Sequence, residues 1–365
     1  MKILILVSEF PPGPGGIGMH AFSMAKALLK KEHDITVIAS GDYVSNDEIN
    51  DFDRQQPFPV IRFKRNIPIE RIRRFLLVNN YIKKHKIKKI IVSGKFSLWI
   101  ALGLQLTRRK LHIIGILHGS EVNLPSKLQR LFTHISIFSC NKLVAVSKFT
   151  RNLLPAWILK RKDITVVPNG IDICNMPIVD SSVLLQGNPR LLTVGNVTPR
   201  KGQQRVIKAL PSLVKAYPNV HYHVVGLPTF KQQFYDLACK LGVERHVTFH
   251  GRVNTFDELA SLYISSDVFL LLSENQSDGD VEGFGIVVLE AGYYGLPTVG
   301  AKNCGIADAI CENYNGYLVD GDDKNRIVEA VGKCMKNNES LSRQSNLWSQ
   351  RHSWDKIIEQ IIDLM

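Results

Sequence analysis

Short β-rich runs alternate with helical patterns along this chain, and the alternation begins twice. The first series opens with a strand predicted over 3–7, a helix over roughly 17–31 and a strand over 35–39. Four further strands are predicted before residue 170, over 89–92, 113–117, 143–146 and 164–167. Strands that alternate with helices are typical of parallel α/β layers. The first half of the chain is therefore expected to form one doubly wound sheet.

The alternation starts again after an irregular, turn-rich stretch that ends near Pro189. Strands are then predicted over 191–195, 221–225, 247–250 and 268–272, with helices between them. A chain of 365 residues also exceeds the usual size of a single hydrophobic core. The sequence therefore predicts an α/β protein with two doubly wound, Rossmann-like domains.

The predicted boundaries give an N-terminal domain over 1–170, a linker over 171–189 and a C-terminal domain over 190–352. The last segment, about 353–365, is an amphipathic helix that packs either on the second domain or back on the first. Open α/β sheets bind ligands beyond the carboxyl ends of their strands. We therefore expect the functional residues at those strand ends, in a deep cleft between the two domains.

The composition is basic, with 46 Lys and Arg against 33 Asp and Glu and a formal net charge of +13. This excess favours phosphate-bearing partners, which include nucleic acid, anionic lipid and nucleotides. The six cysteines are scattered without C-x-x-C pairs, so neither a zinc site nor a disulfide framework is indicated. The apolar run over 3–7 is too short for a signal-peptide core, and no segment approaches the roughly 18 apolar residues of a membrane span. A cytoplasmic protein whose membrane contact is peripheral is expected.

Two glutamates, Glu282 and Glu290, bracket a glycine-flanked phenylalanine and an apolar run. Gly283 and Gly285 indicate a loop that turns into a helix, whose first backbone N–H groups have no partner within the helix. Such a helix start is a place where a diphosphate binds. A carboxylate beside an anion is useful where it accepts hydrogen bonds from neutral hydroxyls. The two glutamates are therefore expected to bind sugar and ribose hydroxyls.

Cations and a histidine follow two other predicted strands. Arg200 and Lys201 come after the first strand of the second domain, where they would neutralise a leaving diphosphate, although such a pair is also common on a solvated surface. His118 follows the strand over 113–117 and is a candidate polar contact for a substrate. Glu121 is a candidate acceptor contact, with capping of the next helix as the alternative.

The stretch 13–18 matches the dinucleotide-binding pattern G-x-G-x-x-G, and Asp42 lies near where a ribose-binding acid would follow. Residues 8–12 separate these glycines from the preceding strand, whereas the fingerprint glycine should follow its strand directly. Three interpretations stay open. The stretch is a dinucleotide site, a loop in which Gly15 and Gly16 bring the backbone close to a phosphate or sugar, or a tight loop without a ligand.

These motifs, in this order and at this spacing, resemble the GT-B retaining glycosyltransferases of family 4, and the resemblance extends over the whole chain. The matching features are Gly15-Gly16, His33, His118-Gly119, Val146-Ser147-Lys148-Phe149, Pro168-Asn169-Gly170-Ile171-Asp172, Lys201-Gly202, Phe249-His250-Gly251-Arg252-Val253, the box from Glu282 to Glu290, Gly295-Leu296-Pro297-Thr298-Val299 and Asn315-Gly316-Tyr317-Leu318-Val319. The resemblance implies transfer of a hexose from a UDP- or GDP-linked sugar to a hydroxyl of a glycan or lipid-linked glycan, with no further cofactor. It also implies a role in cell-surface polysaccharide or glycolipid biosynthesis.

The resemblance further implies roles for particular residues. The implied catalytic set is His118, Glu282, Lys201 and Arg200, in which Glu282 holds hydroxyls of the donor sugar, His118 contacts the sugar and Lys201 binds the diphosphate. The other implied donor contacts are Glu290 with the ribose, the backbone of Gly283, Phe284, Gly285 and Ile286 with sugar and phosphate, Arg252 and Val253 beside the base, and Gly15 and Gly16 with the phosphates. Family members commonly carry a second phosphate-binding arginine at the position of Asn196. We expect Arg200 to supply that charge here.

Retention in this family is explained by attack on the same face of an oxocarbenium-like centre, with the departing diphosphate accepting the proton of the acceptor. The protein then contributes positioning and charge stabilisation rather than a strong base. Asp278-Gly279-Asp280 has the spelling of a metal-binding D-x-D motif, but it lies in a polar loop before the box. No metal site is predicted.

A dense basic run with interleaved apolar residues covers 62–95. Its cations are Lys64, Arg65, Arg71, Arg73, Arg74, Lys83, Lys84, Lys86, Lys88 and Lys89, and the apolar residues between them are Ile72, Phe75, Leu76, Tyr81 and Ile82. Such a run docks on anionic headgroups, here at the inner face of the cytoplasmic membrane, or forms an ordinary solvated helix face. The first alternative makes the acceptor a membrane lipid or a lipid-linked glycan.

Two rival activities stay open at this stage. A nucleotide-sugar epimerase would use a similar two-domain scaffold without transferring the sugar, and a nicotinamide-dependent oxidoreductase would use the glycine pattern over 13–18. A nucleic-acid partner is not expected, because the chain has no recognisable binding module and no aromatic stacking motif.

Overall fold

The chain forms two units in the computed structural model, which describes residues 1–13, 15–41, 44–63, 68–179, 183–253 and 255–365, with the backbone alone over 68–71. The first unit consists of Met1–Gly170 together with Trp354–Met365. The second unit consists of Ile171–Ser353.

The first unit is built on a parallel sheet of seven strands. They are β1 (Lys2–Val7), β2 (Asp34–Ser40), β3 (Val60–Phe63), β4 (Lys89–Ser93), β5 (His112–Leu117), β6 (Lys142–Ala145) and β7 (Ile164–Val166). The strand order is β3-β2-β1-β4-β5-β6-β7, and Ile5 of the central strand pairs with Val37 on one side and Ile91 on the other. Residues 3–7 are fully buried, as expected of a parallel strand whose two faces are both covered.

Helices connect these strands. They are α1 (Gly16–Lys30), α2 (Asn46–Arg54), α3 (Pro68–His85), α4 (Lys95–Thr107), α5 (Lys127–Ile137), α6 (Lys148–Asn152) and α7 (Ala156–Leu159). Several starts are capped by hydroxyls, because Ser45, Ser126 and Ser147 each accept a hydrogen bond from a backbone N–H of the first turn of α2, α5 and α6.

The second unit is built on a parallel sheet of six strands. They are β8 (Arg190–Val194), β9 (His221–Val225), β10 (Val247–Gly251), β11 (Val268–Leu271), β12 (Thr298–Ala301) and β13 (Gly316–Val319). The strand order is β10-β9-β8-β11-β12-β13. The helices are α8 (Gln203–Ala216), α9 (Lys231–Lys240), α10 (Phe256–Ile264), α11 (Ile286–Tyr293), α12 (Ile306–Ala309), α13 (Lys324–Lys336) and α14 (Asn338–Arg351), with short 3₁₀ turns at Ile173–Asn175, Pro199–Lys201 and Glu244–His246.

The predicted α/β class with two doubly wound sheets is confirmed. Each of the ten predicted strands is present, with ends within one residue of those observed. Three strands, β3, β12 and β13, were not predicted. They are four residues long, β3 contains Arg62, and β12 and β13 each contain a glycine, so their β-branched signal is weak.

The last helix, α15 (Trp354–Ile362), belongs to the first unit and packs along α1. Its buried face carries Trp354, Ile357, Ile358 and Ile361, at helical spacing. Salt bridges from Lys30 and Lys31 of α1 to the acidic residues Asp355 and Glu359 run beside this contact. Within the described part of the chain, no helix is both long enough and apolar enough to cross a membrane.

Each sheet has one point where the strand order reverses. In the first unit this point lies between β1 and β4, and in the second unit it lies between β8 and β11. Loops that leave two neighbouring strands in opposite directions open a crevice at the carboxyl ends of those strands, which is where doubly wound sheets bind ligands. The segments after β1, β4, β8 and β11 are therefore the places to search for a site.

Candidate active site

The turn after β8 carries two cations and lies against the end of β11. Pro199–Lys201 forms a 3₁₀ turn that ends at Gly202, whose φ is +77°. A Cβ on Gly202 would lie 1.9 Å from the carbonyl oxygen of Leu272, just after β11. Only glycine permits this approach, and the approach fixes the position of Arg200 and Lys201 beside the loop that follows β11.

Arg200 and Lys201 converge on one carboxylate oxygen. Nη1 of Arg200 lies 2.5 Å and Nζ of Lys201 lies 2.6 Å from Oε2 of Glu282. Nε of Arg200 also pairs with Oδ2 of Asp280 at 2.9 Å. The side chains of Lys201 and Glu282 are each 12% exposed, so these ion pairs lie in a largely desolvated environment.

Neighbouring cations affect the pKa of Glu282 more than burial does. Burial by itself would raise the pKa of this carboxyl, but Lys201 and Arg200 overcome that effect and hold the pKa of Glu282 below its usual value. Burial likewise opposes the charged form of Arg200, and Glu282 and Asp280 reverse the effect and raise its pKa. Glu282 is therefore a firmly ionised carboxylate held by two cations.

The loop between Glu282 and α11 is held by close backbone packing. The N–H of Gly305 donates to the carbonyl oxygen of Glu282 at 2.8 Å, and a Cβ on Gly305 would lie 2.1 Å from the carbonyl carbon of Gly283. Gly285 precedes the first residue of α11, Ile286, with a φ of +84°. The Phe284 side chain is buried, so it anchors the loop.

Glu290 lies on α11 in a different environment from Glu282. Its Oε2 accepts a hydrogen bond from the hydroxyl of Tyr263 at 3.1 Å. Burial raises the pKa of Glu290, and the hydrogen bond from Tyr263 and the charge of Lys201 only partly offset this. The two glutamates of the box are thus physically distinct, because one is held by two cations and the other by a hydroxyl group.

The other predicted donor contacts in this unit lie at the same edge of the sheet. Asn196 is the second residue after β8; its side chain is exposed, and its backbone oxygen accepts from Nε2 of Gln203 at 3.1 Å. Arg252 and Val253 follow β10, where Arg252 is exposed and Val253 is half-buried. The structure places all three at carboxyl ends of strands.

The Asp278-Gly279-Asp280 stretch forms a turn next to the cations. The backbone N–H of Asp280 donates to Oδ1 of Asp278 at 3.0 Å, and the Asp280 carboxylate pairs with Arg200. Over the described residues, no group of three or more His, Cys, Asp or Glu side chains is arranged to hold a metal ion.

Two polar residues that support this turn were missed from the sequence. Gln203 is fully buried and holds the backbone of Asn196 through its amide, as described above. Arg205 donates to the carbonyl oxygen of Ser273 at 3.3 Å and pairs with Asp322 at 2.9 Å, so it ties α8 to the segment after β11. Both residues come just after Lys201-Gly202 in the sequence, and this position was the signal that could have identified them.

In the first unit, His118 lies at the carboxyl end of β5 and is 9% exposed. Its Nε2 lies 2.9 Å from Oγ of Ser93, at the end of β4, and its backbone N–H donates to Oε1 of Glu121 at 2.5 Å. Burial lowers the pKa of His118 to about 4. The imidazole is therefore neutral near pH 7, and it is a donor or acceptor of hydrogen bonds rather than a cation.

Glu121 turns back toward the strand end. Burial raises the pKa of its carboxyl to about 7, although hydrogen bonds from the backbone near His118 oppose this, and the charge of Glu9 adds to it. The alternative that Glu121 caps the next helix is wrong, because Ser126 is the N-cap of α5. A carboxyl with a pKa near 7 is a group that changes charge in the physiological range.

The glycine loop before α1 packs on a carboxylate. Gly15 has a φ of +147°, and a Cβ there would lie 2.2 Å from Oε2 of Glu9, whereas a Cβ on Gly16 would meet nothing within 4 Å. Gly16 is the first residue of α1, and the first turn of that helix contains no acidic residue. The negative charge beside this helix start is therefore that of Glu9, which comes from the loop after β1. Asp42, the other half of the dinucleotide hypothesis, lies outside the described residues.

His118 is also part of an aromatic stack that sequence reasoning missed. The ring of His20, on α1, lies 4.9 Å from that of His118 and 5.0 Å from that of Trp354, measured between centroids. Burial, followed by the charge of His118, keeps the pKa of His20 well below its usual value. The first residue of α15 therefore supports the strand-end histidine through one intervening ring.

The basic run over 62–95 is only partly a surface feature. The Arg74 side chain is buried and lies over the ring of Phe63, 3.5 Å from its centroid, so Arg74 is not one of the exposed cations of this run. Lys89 donates to the backbone oxygen of Met365. Exposed cations in the run are Arg73, Lys83, Lys84, Lys86 and Lys88, while Lys64 and Arg65 and the side chain of Arg71 lie outside the described residues.

Comparisons with known proteins agree with this arrangement of two sheets. The family model described as Glycosyltransferase Family 4 matches residues 14–174, and the one described as Glycosyl transferases group 1 matches residues 178–351. Among solved structures, the Anabaena protein Alr3699/HepE in complex with UDP superposes with a TM-score of 0.80 at 19% identity, over 100% of this chain and 99% of that one. Sucrose-phosphate synthase from Thermosynechococcus elongatus superposes with a TM-score of 0.79 at 17% identity, over 100% and 98%.

These likenesses define the fold as that of the GT-B glycosyltransferases. A relative over the full length is a GDP-mannose-dependent alpha-(1-6)-phosphatidylinositol monomannoside mannosyltransferase of Mycobacterium tuberculosis (strain CDC 1551 / Oshkosh), 25% identical over 100% of this chain and 98% of the relative. The chain belongs to glycosyltransferase family 4, and it is an enzyme of the hexosyltransferase type.

Proposed function

We propose that this enzyme transfers a hexose, with retention of anomeric configuration, from a nucleoside-diphosphate-sugar to a hydroxyl of a glycolipid or lipid-linked glycan. The observation that carries the proposal is the convergence of Arg200 and Lys201 on one oxygen of Glu282, beside the start of α11. Two cations that already hold an anionic oxygen at about hydrogen-bond distance are suited to hold an oxygen of a diphosphate.

The donor site would work by exchange of partners. A diphosphate oxygen would take the cations, and the released carboxylate of Glu282 would accept hydrogen bonds from hydroxyls of the donor sugar. The backbone N–H groups at Gly283–Ile286 would support the phosphates, and Asn196 would contact the donor. Arg200 supplies the charge that Asn196 lacks. Its ion pairs with Glu282 and Asp280 support this assignment, because they place the guanidinium beside Lys201.

The nucleoside would be held at the other polar groups of the same sheet edge. Glu290 would hold the ribose hydroxyls. Its carboxylate is bound by the uncharged hydroxyl of Tyr263 and not by a cation, so it can accept further hydrogen bonds. Arg252 and Val253, which follow β10, would lie beside the base. The first unit would contribute the backbone of Gly15 and Gly16 to the phosphates and the neutral imidazole of His118 to the sugar, and Glu121 would contact the acceptor.

The proposed reaction breaks the bond between the anomeric carbon and the diphosphate oxygen, and it forms a bond from that carbon to the acceptor oxygen on the same face. The acceptor proton goes to the departing diphosphate. This scheme asks the protein for positioning and charge rather than for a base. The low pKa of His118, about 4, fits that requirement, because a neutral and weakly basic imidazole is a hydrogen-bonding group.

The comparisons support the substrate classes. The mycobacterial relative acts with GDP-mannose on a phosphatidylinositol monomannoside, and the Anabaena neighbour binds UDP. We propose a UDP- or GDP-linked donor, no further cofactor, and an acceptor anchored in a membrane. The enzyme would then act in the cytoplasm, at the inner face of the cytoplasmic membrane, in cell-surface polysaccharide or glycolipid synthesis.

Product analysis with a panel of UDP- and GDP-sugars tests this proposal. Thermal shift first selects the donor, since a ligand that binds only the native state raises its apparent stability. Transfer should give a new glycosidic bond of the same anomeric configuration and one free nucleoside diphosphate per bond. An isomerised sugar nucleotide without a new bond would instead identify an epimerase. Lys208→Ala, an exposed position on α8, is the control for Lys201→Ala.

A further inference from the structure

The net excess of positive charge in this protein is located in one part of the first unit. Residues 71–162 contain twenty Lys and Arg but one acidic residue, Glu121, whereas the rest of the chain contains 26 Lys and Arg and 32 Asp and Glu. Glu121 is itself 3% exposed, so it does little to offset the field at the surface. The segment that spans α3 to α7 therefore carries the whole excess of positive charge, and more than the net +13.

An apolar cavity of about 600 Å³ opens on the same part of the first unit. Its walls come from three helices, with Phe75 on α3, Phe96, Trp99 and Ile100 on α4, and Leu128 and Phe132 on α5, and two polar side chains, Arg74 and Gln129, complete the lining. The ring of Trp99 makes edge contacts with Phe96 and Phe132, each at 5.3 Å between centroids. The volume is that of a site for a small molecule, and the walls are nearly all hydrocarbon.

The mouth of this cavity is surrounded by apolar side chains that face solvent. On α5, Leu128, Leu131, Phe132 and Ile135 are 80%, 51%, 42% and 46% exposed. Their spacing places them on one face, so this helix presents an apolar stripe outward. An amphipathic helix of a globular protein normally buries that stripe. An exposed stripe beside an open cavity is typical of an interaction surface.

Ile72 and Leu76 of α3 extend this apolar surface, at 66% and 48% exposure and one helical turn apart. They belong to the run over 62–95, so two apolar residues of that run are on the surface, whereas its Ile82 and Arg74 are buried.

Cations stand at the edge of the same surface. Nζ of Lys95 lies 5.0 Å and 5.7 Å from the ring centroids of Phe96 and Trp99. Lys127 and Arg130 flank Leu128 along α5, and Arg73 follows Ile72 on α3. Apart from Glu70 at the start of α3, whose side chain is outside the described part, α3, α4 and α5 contain no acidic residue. An apolar cavity with a rim of one charge sign matches a ligand with a hydrocarbon chain and an anionic head.

We propose that this surface binds an anionic phospholipid of a membrane, with one acyl chain in the cavity between α3, α4 and α5 and the lipid phosphate at the surrounding cations. The exposed residues of α5 would enter the interfacial layer beside the lipid, in the manner of an amphipathic helix that lies in the plane of a membrane. The charge also argues against a second copy of this chain as the occupant, since two surfaces of the same sign repel. This inference rests on the proposed function in one respect, because the surface would bind the enzyme to the membrane that contains its lipid-linked acceptor.

Vesicle binding by matched variants is the first test. The full chain is mixed with vesicles of phosphatidylcholine alone or of phosphatidylcholine with phosphatidylglycerol. We expect binding to the anionic vesicles only, with affinity that falls as salt is added. Leu128→Glu should weaken this binding about tenfold, because it removes apolar surface and places an anion beside the lipid phosphate. Ile178→Glu is the matched control, since Ile178 is 89% exposed in the second unit and the change in charge is the same.

Fluorescence distinguishes an acyl chain in the cavity from adsorption to the surface. Dibromostearate, kept below the concentration at which it forms micelles, should quench Trp99 because bromine quenches an indole ring only at short range. Trp99→Phe should lose most of the quenching while it retains the other three tryptophans. Equal quenching in the wild type and in Trp99→Phe would overturn the cavity assignment.

Two further results would overturn the proposal. One is vesicle binding that is unchanged in Leu128→Glu, and the other is a concentration-dependent dimer in light scattering that Leu128→Glu abolishes, which would make a second copy the occupant. Failure of the proposed function is a separate result. In that case vesicle binding and quenching follow the predictions, but no donor is consumed. Conversely, transfer to a water-soluble acceptor without lipid binding would reject the lipid surface alone.

Discussion

Lys201 and Glu282 are 81 residues apart in the chain, and their side chains meet with Nζ 2.6 Å from Oε2. The contact joins the turn after β8 to the loop after β11, across the point where the strand order of the second sheet reverses. It therefore places a cation, a carboxylate and the start of α11 at the position where a doubly wound sheet binds ligands.

Removal of either cation should weaken transfer. In Lys201→Ala we expect kcat/KM to fall about a hundredfold, since one preorganised donor to a developing charge contributes roughly 3 kcal/mol. Arg200→Ala should lose a comparable factor if Arg200 supplies the charge that Asn196 lacks. The measurement is release of nucleoside diphosphate with each variant and with the Lys208→Ala control. Full activity in Arg200→Ala together with an inactive Lys201→Ala would contradict the role given to Arg200.

Gly202 should be intolerant of a side chain. Gly202→Ala adds a Cβ that would lie 1.9 Å from the Leu272 carbonyl oxygen, in addition to the strain of a φ of +77°. Gly242 has a similar φ of +66° with nothing within 4 Å of its Cβ position, so Gly242→Ala isolates the strain, which is about 1 kcal/mol.

Chemical denaturation should therefore show a larger loss of unfolding free energy in Gly202→Ala than in Gly242→Ala. Nucleoside diphosphate binding should weaken only in Gly202→Ala, because only that change moves Lys201. Equal effects of the two alanines on binding would show that the approach of the turn to β11 does not position the cations.

The raised pKa of Glu121 predicts a pH-dependent stability. A carboxyl whose pKa is about 7 in the folded chain and 4.5 in the reference state favours folding at low pH. This contribution is fully present below about pH 4.5 and is lost as the pH rises through about 7. Each unit of pKa shift corresponds to about 1.4 kcal/mol, so the contribution of Glu121 to the free energy of unfolding is on the order of a few kcal/mol.

The neutral His118 has the opposite dependence. Its pKa falls from 6.5 to about 4 on folding, so its contribution is present above about pH 6.5 and is lost as the pH falls through 4. The contributions of Glu121 and His118 to the pH dependence of the unfolding free energy overlap in the wild type. Single variants are therefore needed to measure each contribution. Relative to wild type, Glu121→Gln should gain unfolding free energy as the pH rises from 4.5 to 7. A difference between the two proteins that is constant over this range would contradict the assignment.

Trp354 should hold His118 in place through His20. Trp354→Ala removes a buried ring from the contact between α15 and α1, and we expect a loss of about 3 to 5 kcal/mol of unfolding free energy. Trp354→Phe should restore most of this stability together with the kcat of transfer. Trp157→Ala, at a ring that is 41% exposed, should be less costly. If Trp354→Ala is destabilised but transfers at the wild-type kcat, Trp354 has a purely structural role.

Most strands of the two sheets, and the residues at their carboxyl ends in the second unit, could be predicted from the sequence for a physical reason. Buried parallel strands such as β1 and β5 are continuous apolar runs, so they stand out without tertiary information. The carboxyl ends of parallel strands share one edge within each sheet, so Lys201 in the second unit and His118 in the first were singled out because each follows a predicted strand. Weak strands such as β13 depend on pairing with a neighbour, and pairing between distant segments is not visible in the local pattern.

Contacts between distant segments account for what the sequence did not reveal. Ser93 and Trp354 carry no motif, yet each touches or supports His118 once β4 and α15 are in place. Arg74 was misassigned because the pattern of a basic helix does not distinguish a cation that stacks on Phe63 from one that faces solvent. The cavity between α3, α4 and α5 likewise exists only through the packing of three helices.

The affinity of nucleoside diphosphate for Glu282→Gln and Glu290→Gln, measured by titration calorimetry with the donor's own base, decides whether the two glutamates have separate roles. Glu282→Gln releases Arg200 and Lys201 from their carboxylate and should bind the diphosphate at least as tightly as wild type, although it transfers sugar poorly. Glu290→Gln should weaken both binding and transfer, because it removes the acceptor for the ribose hydroxyls. An equal loss of diphosphate affinity in the two variants would contradict the division of roles between the two glutamates.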